Sequence, residues 1–172
     1  DEVTNDFGKV SIKNKSDKPV FGGIYWQYFE DLNQVKSAEN GLLKIARTFY
    51  IESTEGKLQE ISNETELKLG QKVIIRLEIT AEKDMEFIHI KDSRAATFEP
   101  VDVLSGYQYK NNLRYYQSTR DAATNFFIDY LNKGSYVIDY EVRLNNEGTF
   151  TGGISTIQSM YAPEHTAHTS GI

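Results

Sequence analysis

Alternation of apolar and polar residues with a period of two runs through most of the chain. In residues 72–80, KVIIRLEIT, the side chains of Val73, Ile75, Leu77 and Ile79 fall on one side, and those of Lys72, Arg76, Glu78 and Thr80 on the other. In residues 135–144, SYVIDYEVRL, Tyr136, Ile138, Tyr140 and Val142 oppose Asp139, Glu141 and Arg143. A strand sends successive side chains to opposite faces, so this spacing predicts strands with one face in a core and the other in water. Weaker alternation predicts further strands at residues 9–14, 20–30, 42–52, 85–92, 123–131 and 148–162. Turn-forming clusters separate them: Ser53-Thr54-Glu55-Gly56, Ala81-Glu82-Lys83-Asp84, Asn132-Lys133-Gly134 and Asn145-Asn146-Glu147-Gly148. Eight or nine short strands at this spacing predict an all-β, antiparallel sandwich. Helix is expected at most over residues 31–38, DLNQVKSA, as one or two turns capped by Asp31. Gly22-Gly23 and Gly152-Gly153 interrupt strand patterns and are expected to mark bulges; neither precedes a helix, as a phosphate cradle would.

Composition narrows the function. A chain of 172 residues is long enough for one domain with a core that needs no staple. It has no cysteine, which removes thiol nucleophiles, thiolate metal sites and disulfides from this chain. The net charge is −6 and the 19 Lys and Arg are scattered, so nucleic acid is not an expected partner. Apolar runs such as Val73-Ile74-Ile75 and Phe126-Phe127-Ile128 stop far short of the roughly 20 residues a membrane helix needs, so the chain is not expected to span a bilayer. Beginning at Asp1 with no initiator Met and no signal-peptide pattern, it reads as the C-terminal fragment of a larger multidomain protein. Residues 1–19 are expected to form a lead-in strand and linker to a single sandwich domain over 1–172.

Candidate chemistry is sparse. The end of the chain, QSMYAPEHTAHTSGI, gathers Glu164, His165 and His168, but in an extended segment His165 and His168 point apart. The spacing is not the H-E-x-x-H of zinc peptidases, so a solvated tail is expected and no metal site. His89 in FIHIK reads as an ordinary strand residue. Among the 25 carboxylates, Glu30-Asp31 and the pair Asp92 and Glu99 could flank a glycosidic bond only if folded to a fixed separation. Ser105 in LSGY lacks the G-x-S-x-G elbow. No catalytic residue, metal or cofactor is expected, and the chain is not read as an enzyme. The aromatic residues carry more information: Tyr107, Tyr109, Tyr115 and Tyr116 crowd into SGYQYKNNLRYYQSTRD, a polar stretch with poor alternation. Exposed tyrosines suit protein interfaces and sugar stacking alike, while the competing reading has them roofing one end of the core.

Four stretches taken together carry a resemblance: GGIYWQYFEDL at 22–32, HIKDSRAATFEPVDVLSGY at 89–107, RDAATNFFIDYLNKGSYVIDYEVRLNNEGTFTGG at 120–153 and QSMYAPE at 158–164. In this order they resemble the C-terminal macroglobulin-like domain of bacterial alpha-2-macroglobulin family proteins of the Bacteroidetes type. The segment from Asp92 to Pro100 is similar to the family's D-x-x-P-A-G-F-E-P, with Ala95 in place of proline and Thr97 in place of glycine. His165 stands where the family more often has an aromatic or apolar residue, which argues against a shared metal ligand there.

The resemblance implies a macroglobulin-like sandwich with a non-enzymatic role in a protease trap held at the cell envelope. In such proteins a bait segment is cut, the domains rearrange, and in many members a Cys-Gln thioester captures the attacker. Lacking cysteine, this chain cannot hold that bond. What the resemblance implies instead is packing against neighbouring domains, a thioester-type domain among them, with an aromatic side chain shielding the bond from water; target proteases are then indirect partners. Tyr107, Tyr109, Tyr115, Tyr116 and Tyr161 are the expected interdomain or partner-binding residues. SMYAP is expected to close the final strand, with core filling the competing role of Met160 and Tyr161 and the favoured one for Met160. The expected location is the periplasm or cell surface, anchored through a distant N-terminal part. The alternative is a carbohydrate-binding or adhesive sandwich using exposed tyrosines.

Overall fold

The computed structural model describes residues 11–23, 29–53, 55–62 and 64–172. Twelve strands form two antiparallel sheets: β1 (Ala38–Asn40), β2 (Leu43–Glu52), β3 (Leu58–Glu60), β4 (Lys72–Ala81), β5 (Met85–Ser93), β6 (Phe98–Pro100), β7 (Gly106–Lys110), β8 (Leu113–Thr119), β9 (Ala123–Leu131), β10 (Gly134–Leu144), β11 (Ser155–Ser159) and β12 (Thr166–His168). The seven-stranded sheet runs β1-β12-β11-β5-β9-β8-β7 and the five-stranded sheet β3-β2-β4-β10-β6. Among the described residues no helix is long and apolar enough to cross a membrane.

Alternation does what it predicts in the central strands. β4 and β10 pair with Leu77 opposite Ile138, and Val73, Ile75, Leu77 and Ile79 all turn inward with Ile138, Tyr140 and Val142. The facing sheet contributes Ile88, Ile90, Leu113, Tyr115, Phe126, Ile128 and Ile157, and the two sets form one continuous core. Removing that much apolar surface from water supplies most of the drive to stack the sheets.

Departures from the expected elements have local causes. The polar stretch around Tyr107 to Tyr116 is a hairpin, β7–β8, whose turn residues Asn111 and Asn112 both take left-handed backbone (φ 52° and 59°). Two such residues make the turn whose twist matches paired strands, and asparagine tolerates it well. Alternation was hidden because Gln117 shares the inward side with Leu113 and Tyr115. The expected strand at 148–162 contracts to β11, since Gly153 turns left-handed (φ 62°) before it. The expected tail is strand β12, paired with both β11 and β1, and Ala167 is its inward residue. Sheet pairing there needs no apolar alternation, because three residues present a single inward side chain. Met160 lies beyond the end of β11 and is exposed, not core filling.

At 31–38 only Leu32–Gln34 form a 3-10 turn, and Asp31 makes no side-chain cap bond. Residues 11–14, 20–23, 29 and 30 are not strand; the rest of the expected strands at 9–14 and 20–30 lies outside the described residues. The glycine pairs Gly22-Gly23 and Gly152-Gly153 lie outside strands as well.

Leu77→Ala should lower unfolding free energy by about 2–5 kcal/mol, because this fully buried side chain leaves a cavity between the sheets. Urea denaturation should show the midpoint falling with the slope unchanged.

Candidate functional site

Two inward positions break the apolar pattern. On β2 the inward series is Leu43, Ile45, Arg47, Phe49 and Ile51, and on β5 it ends Ile88, Ile90 and Asp92. Strand alternation therefore aims a guanidinium and a carboxylate into the core from opposite sheets. They meet at 2.7 Å with side chains 2% and 0% exposed. Asp92 Oδ1 also accepts from Ser155 Oγ at 2.6 Å, and Oδ2 from the Tyr140 hydroxyl at 2.6 Å. Arg47 donates further to the carbonyls of Ser93 and Gly153, the latter at 2.7 Å. Gly153 makes this possible, since a Cβ there would come within 2.7 Å of the Ser93 side chain.

Arg94 extends the cluster by donating to Thr124 Oγ1 and to the carbonyls of Arg120 and Asp121. Burial pushes the Tyr140 phenol well above its ordinary range, with the Asp92 charge adding to it; burial also lowers the Arg94 guanidinium. Both carboxylate oxygens of Asp92 accept from protein donors, while the Nε atoms of Arg47 and Arg94 are buried without a partner. The cluster is a clamp between the sheets.

The outer faces of the two sheets differ. On the five-stranded sheet, Lys72 meets Glu141 at 3.0 Å and Arg76 holds Asp139 by two bonds of 2.9 and 2.8 Å, while Arg76 also lies over the Tyr50 ring. That face is dressed for water. On the seven-stranded sheet the register sets Tyr107, Tyr116, Phe127, His89 and Gln158 side by side on successive strands. Tyr107 meets Tyr116 edge-on at 5.2 Å, and His89 stacks on Phe127 at 4.7 Å. Arg114 covers the Tyr107 ring at 4.8 Å, and His89 Nε2 is 3.0 Å from Asn125 Oδ1. Each of these contacts covers one face of a ring, and Tyr107 keeps much of its surface exposed.

The expected residues are divided by this geometry. Tyr107 (62% exposed) and Tyr109 lie on the edge strand β7, and half-buried Tyr116 lies beside them. Tyr115 does not join them: on the inward side of β8 it is 2% exposed, packed edge-on against Phe126. Adjacent strand residues cannot share a face, which separates it from Tyr116. Tyr161 (79% exposed) belongs to a second cluster, edge-on to Phe87 at 5.1 Å with Met160 beside it. Phe87 takes left-handed backbone (φ 54°), strained for a bulky residue, and its carbonyl accepts from the Met160 N–H. Phe87, Phe127 and His89 were missed as surface residues; their signal was aromatic side chains at the outward positions of β5 and β9. Among the described residues no group of His, Asp or Glu is arranged to hold a metal ion.

Comparison with known proteins gives a consistent picture. Residues 43–164 match the family model described as the bacterial alpha-2-macroglobulin MG10 domain. Among solved structures, Salmonella alpha-2-macroglobulin reacted with methylamine superposes with a TM-score of 0.61 at 22% identity, over 78% of this chain and 9% of that one. Native Escherichia coli alpha-2-macroglobulin, from domain MG7 to its C-terminus, gives 0.60 at 18% identity, over 78% of this chain and 23% of that one. The elastase-activated Escherichia coli protein gives 0.62 at 18%, over 80% and 13%. A curated relative, circularly permutated Ras protein 2 of Dictyostelium discoideum, is 26% identical over 136 residues, or 77% of this chain and 3% of the relative. The chain thus spans a small part of each of these proteins.

Arg47→Met should destabilise by about 3–5 kcal/mol, since it strands a buried carboxylate, and Arg47→Met/Asp92→Leu should recover part of the loss in urea denaturation. The folded Tyr140 phenol is raised above its ordinary 10.0, so its contribution is full below that pH and is lost as pH rises toward the folded value. Tyr140→Phe should flatten the alkaline fall in stability measured by thermal melts from pH 8 to 11.5, leaving a residue from buried Tyr115, which is raised too.

Proposed function

The chain belongs to the MG10 domain family of bacterial alpha-2-macroglobulins, and on that premise we propose that it is a non-catalytic structural module of a protease trap at the cell envelope, docked to neighbouring domains of its own polypeptide through the outer face of the seven-stranded sheet. The observation that carries this reading is the contrast between the two outer faces. One neutralises its charges internally, as a solvated surface does. The other lines up Tyr107, Tyr116, Phe127 and His89 with no charge pairing, which suits a surface that loses water on contact with protein.

Tyr161, Phe87 and Met160 give the same sheet a second contact point. A strained Phe87 backbone is retained where the presented side chain is useful. With no cysteine, the chain contributes contact and rigidity, and any thioester belongs to a neighbour. The sugar-binding alternative has fewer ring faces to use at the row, where His89 and Phe127 give one face to each other and Arg114 takes one face of Tyr107, and it would fall to Tyr109 and Tyr161.

Hydrogen exchange compares the isolated chain with the full-length protein. Amides of Gly106–Lys110 should exchange more slowly in the full-length protein; equal rates would remove the docking face. Tyr107→Ser should leave the isolated chain's stability within about 0.5 kcal/mol, as expected for an exposed side chain, yet abolish that added protection. Full-length protein mixed with elastase should shield the protease from a large protein substrate, and the isolated chain should not.

A further inference from the structure

We propose that Asn40 is a site of self-modification: its side-chain amide is lost as ammonia through attack by the backbone nitrogen of Gly41, with the His165 imidazole as base, and the change unzips strand β1 from the sandwich. This chemistry belongs to the chain itself and is independent of the docking face.

Asn40 is the only asparagine of the chain followed by glycine. In this reaction the nitrogen of the next residue closes a succinimide ring on the asparagine Cγ. A side chain on that residue obstructs the approach, and glycine leaves it open. The fold holds glycine in place here. Gly41 takes left-handed backbone (φ 81°) as the chain passes from β1 in one sheet to β2 in the other. A Cβ at this position would collide with His165 Nδ1 and come within 3.1 Å of the His165 Cα. Any other residue would be strained on both counts, so the turn keeps its glycine and with it the reactive pair.

Both reacting groups are free. Asn40 and Gly41 are exposed, and among the described residues neither the Asn40 side-chain amide nor the Gly41 N–H makes a hydrogen bond. Asn40 ends β1, a three-residue edge strand with every side chain exposed and β12 as its one neighbour in the sheet. The end of such a strand frays, which gives ring closure the backbone freedom it needs. His165 supplies the base. It directly precedes β12, its Nδ1 is buried without a partner, and it lies against the Gly41 Cα, one bond from the reacting nitrogen. In the tautomer with its proton on Nε2, that nitrogen is an acceptor.

The Gly41 N–H proton passes to His165 Nδ1, the bond from the Gly41 nitrogen to Asn40 Cγ forms, and the Cγ–Nδ2 bond breaks. The imidazolium returns the proton to the departing ammonia. Water then opens the ring at Cγ, leaving aspartate, or at the backbone carbonyl carbon, leaving isoaspartate, whose main chain is longer by one methylene. Asn40 pairs with Thr166, and the longer main chain cannot keep that rung. β1 then comes away from β12, while the core, which takes no residue from β1, stays packed.

The test holds the purified chain at neutral pH and physiological temperature for weeks and follows it by tryptic mass spectrometry and isoaspartate methyltransferase labelling. Trypsin releases residues 37–44 as one peptide, cut after Lys36 and Lys44. That peptide should gain the mass of an NH2 replaced by OH and split into two chromatographic species, both carrying the gain and one labelled as isoaspartate. Asn132 and Asn146, exposed but followed by Lys and Glu, should stay intact. In the aged chain the amides of Ala38–Asn40 should exchange faster, with the melting temperature within a few degrees of the fresh chain. Asn40→Gln should remove the mass gain. His165→Phe, with His165→Leu as a second variant, should slow it about tenfold or more in the folded chain, and should leave the rate unchanged in chain unfolded by urea, where the imidazole is no longer held at the turn. No mass gain after weeks, or equal gain at Asn132 and Asn146, would overturn the site; equal rates in the folded chain and both His165 variants would overturn the role of the imidazole.

Discussion

Arg47 and Asp92 face each other from opposite sheets, and the packing of the sandwich around them depends on their staying together. A charge taken out of water is unfavourable by several kcal/mol unless a counter-charge and hydrogen bonds replace its hydration. Here Ser155 and Tyr140 complete the carboxylate, and the carbonyls of Ser93 and Gly153 take up the guanidinium. The pair therefore ties β2, β5, β10 and β11 into one unit. Apolar contact tolerates sliding of one sheet over the other; a geometry of bonds near 2.6 to 2.7 Å does not. Such a clamp fixes the relative setting of the sheets.

With the setting fixed, each face acquires a separate character. The outward residues of β4 and β10 pair as Lys72 with Glu141 and Arg76 with Asp139, so that face meets water without strain. The outward residues of β7, β8, β9 and β5 are Tyr107, Tyr116, Phe127 and His89, whose contacts are with one another. A row of this kind exists only because β5 and the consecutive strands β7, β8 and β9 come into one register. β6 covers the outer edge of β10 only at Val142–Leu144, and the chain crosses to the other sheet after Val101. One sandwich thus carries a charge-paired face and an aromatic one.

Much of the fold could be read from residues alone. Val73 to Ile79 and Tyr136 to Val142 alternate so regularly that strand identity and inward face follow directly, because side-chain direction along a strand is a local property. The stretches resembling the macroglobulin-like domain likewise pointed to the family that the match over residues 43–164 bears out. Less legible were β7 and β8, where a buried Gln117 on the inward side blurred the pattern, and β12, whose three residues are too few to show one. Tyr115 and Tyr116 were taken together from their adjacency, although adjacency on a strand means opposite faces.

The sequence by itself determined the central strands, their inward sides and the absence of thiol chemistry, since each depends on nearest neighbours or on composition, and the resemblance of four stretches gave the class of domain. Tertiary structure alone decided that Arg47 meets Asp92 and that Tyr107 lies in a row with His89. Those outcomes depend on which strands pair and in what register, a choice made by the free energy of the whole core and carried by no single segment.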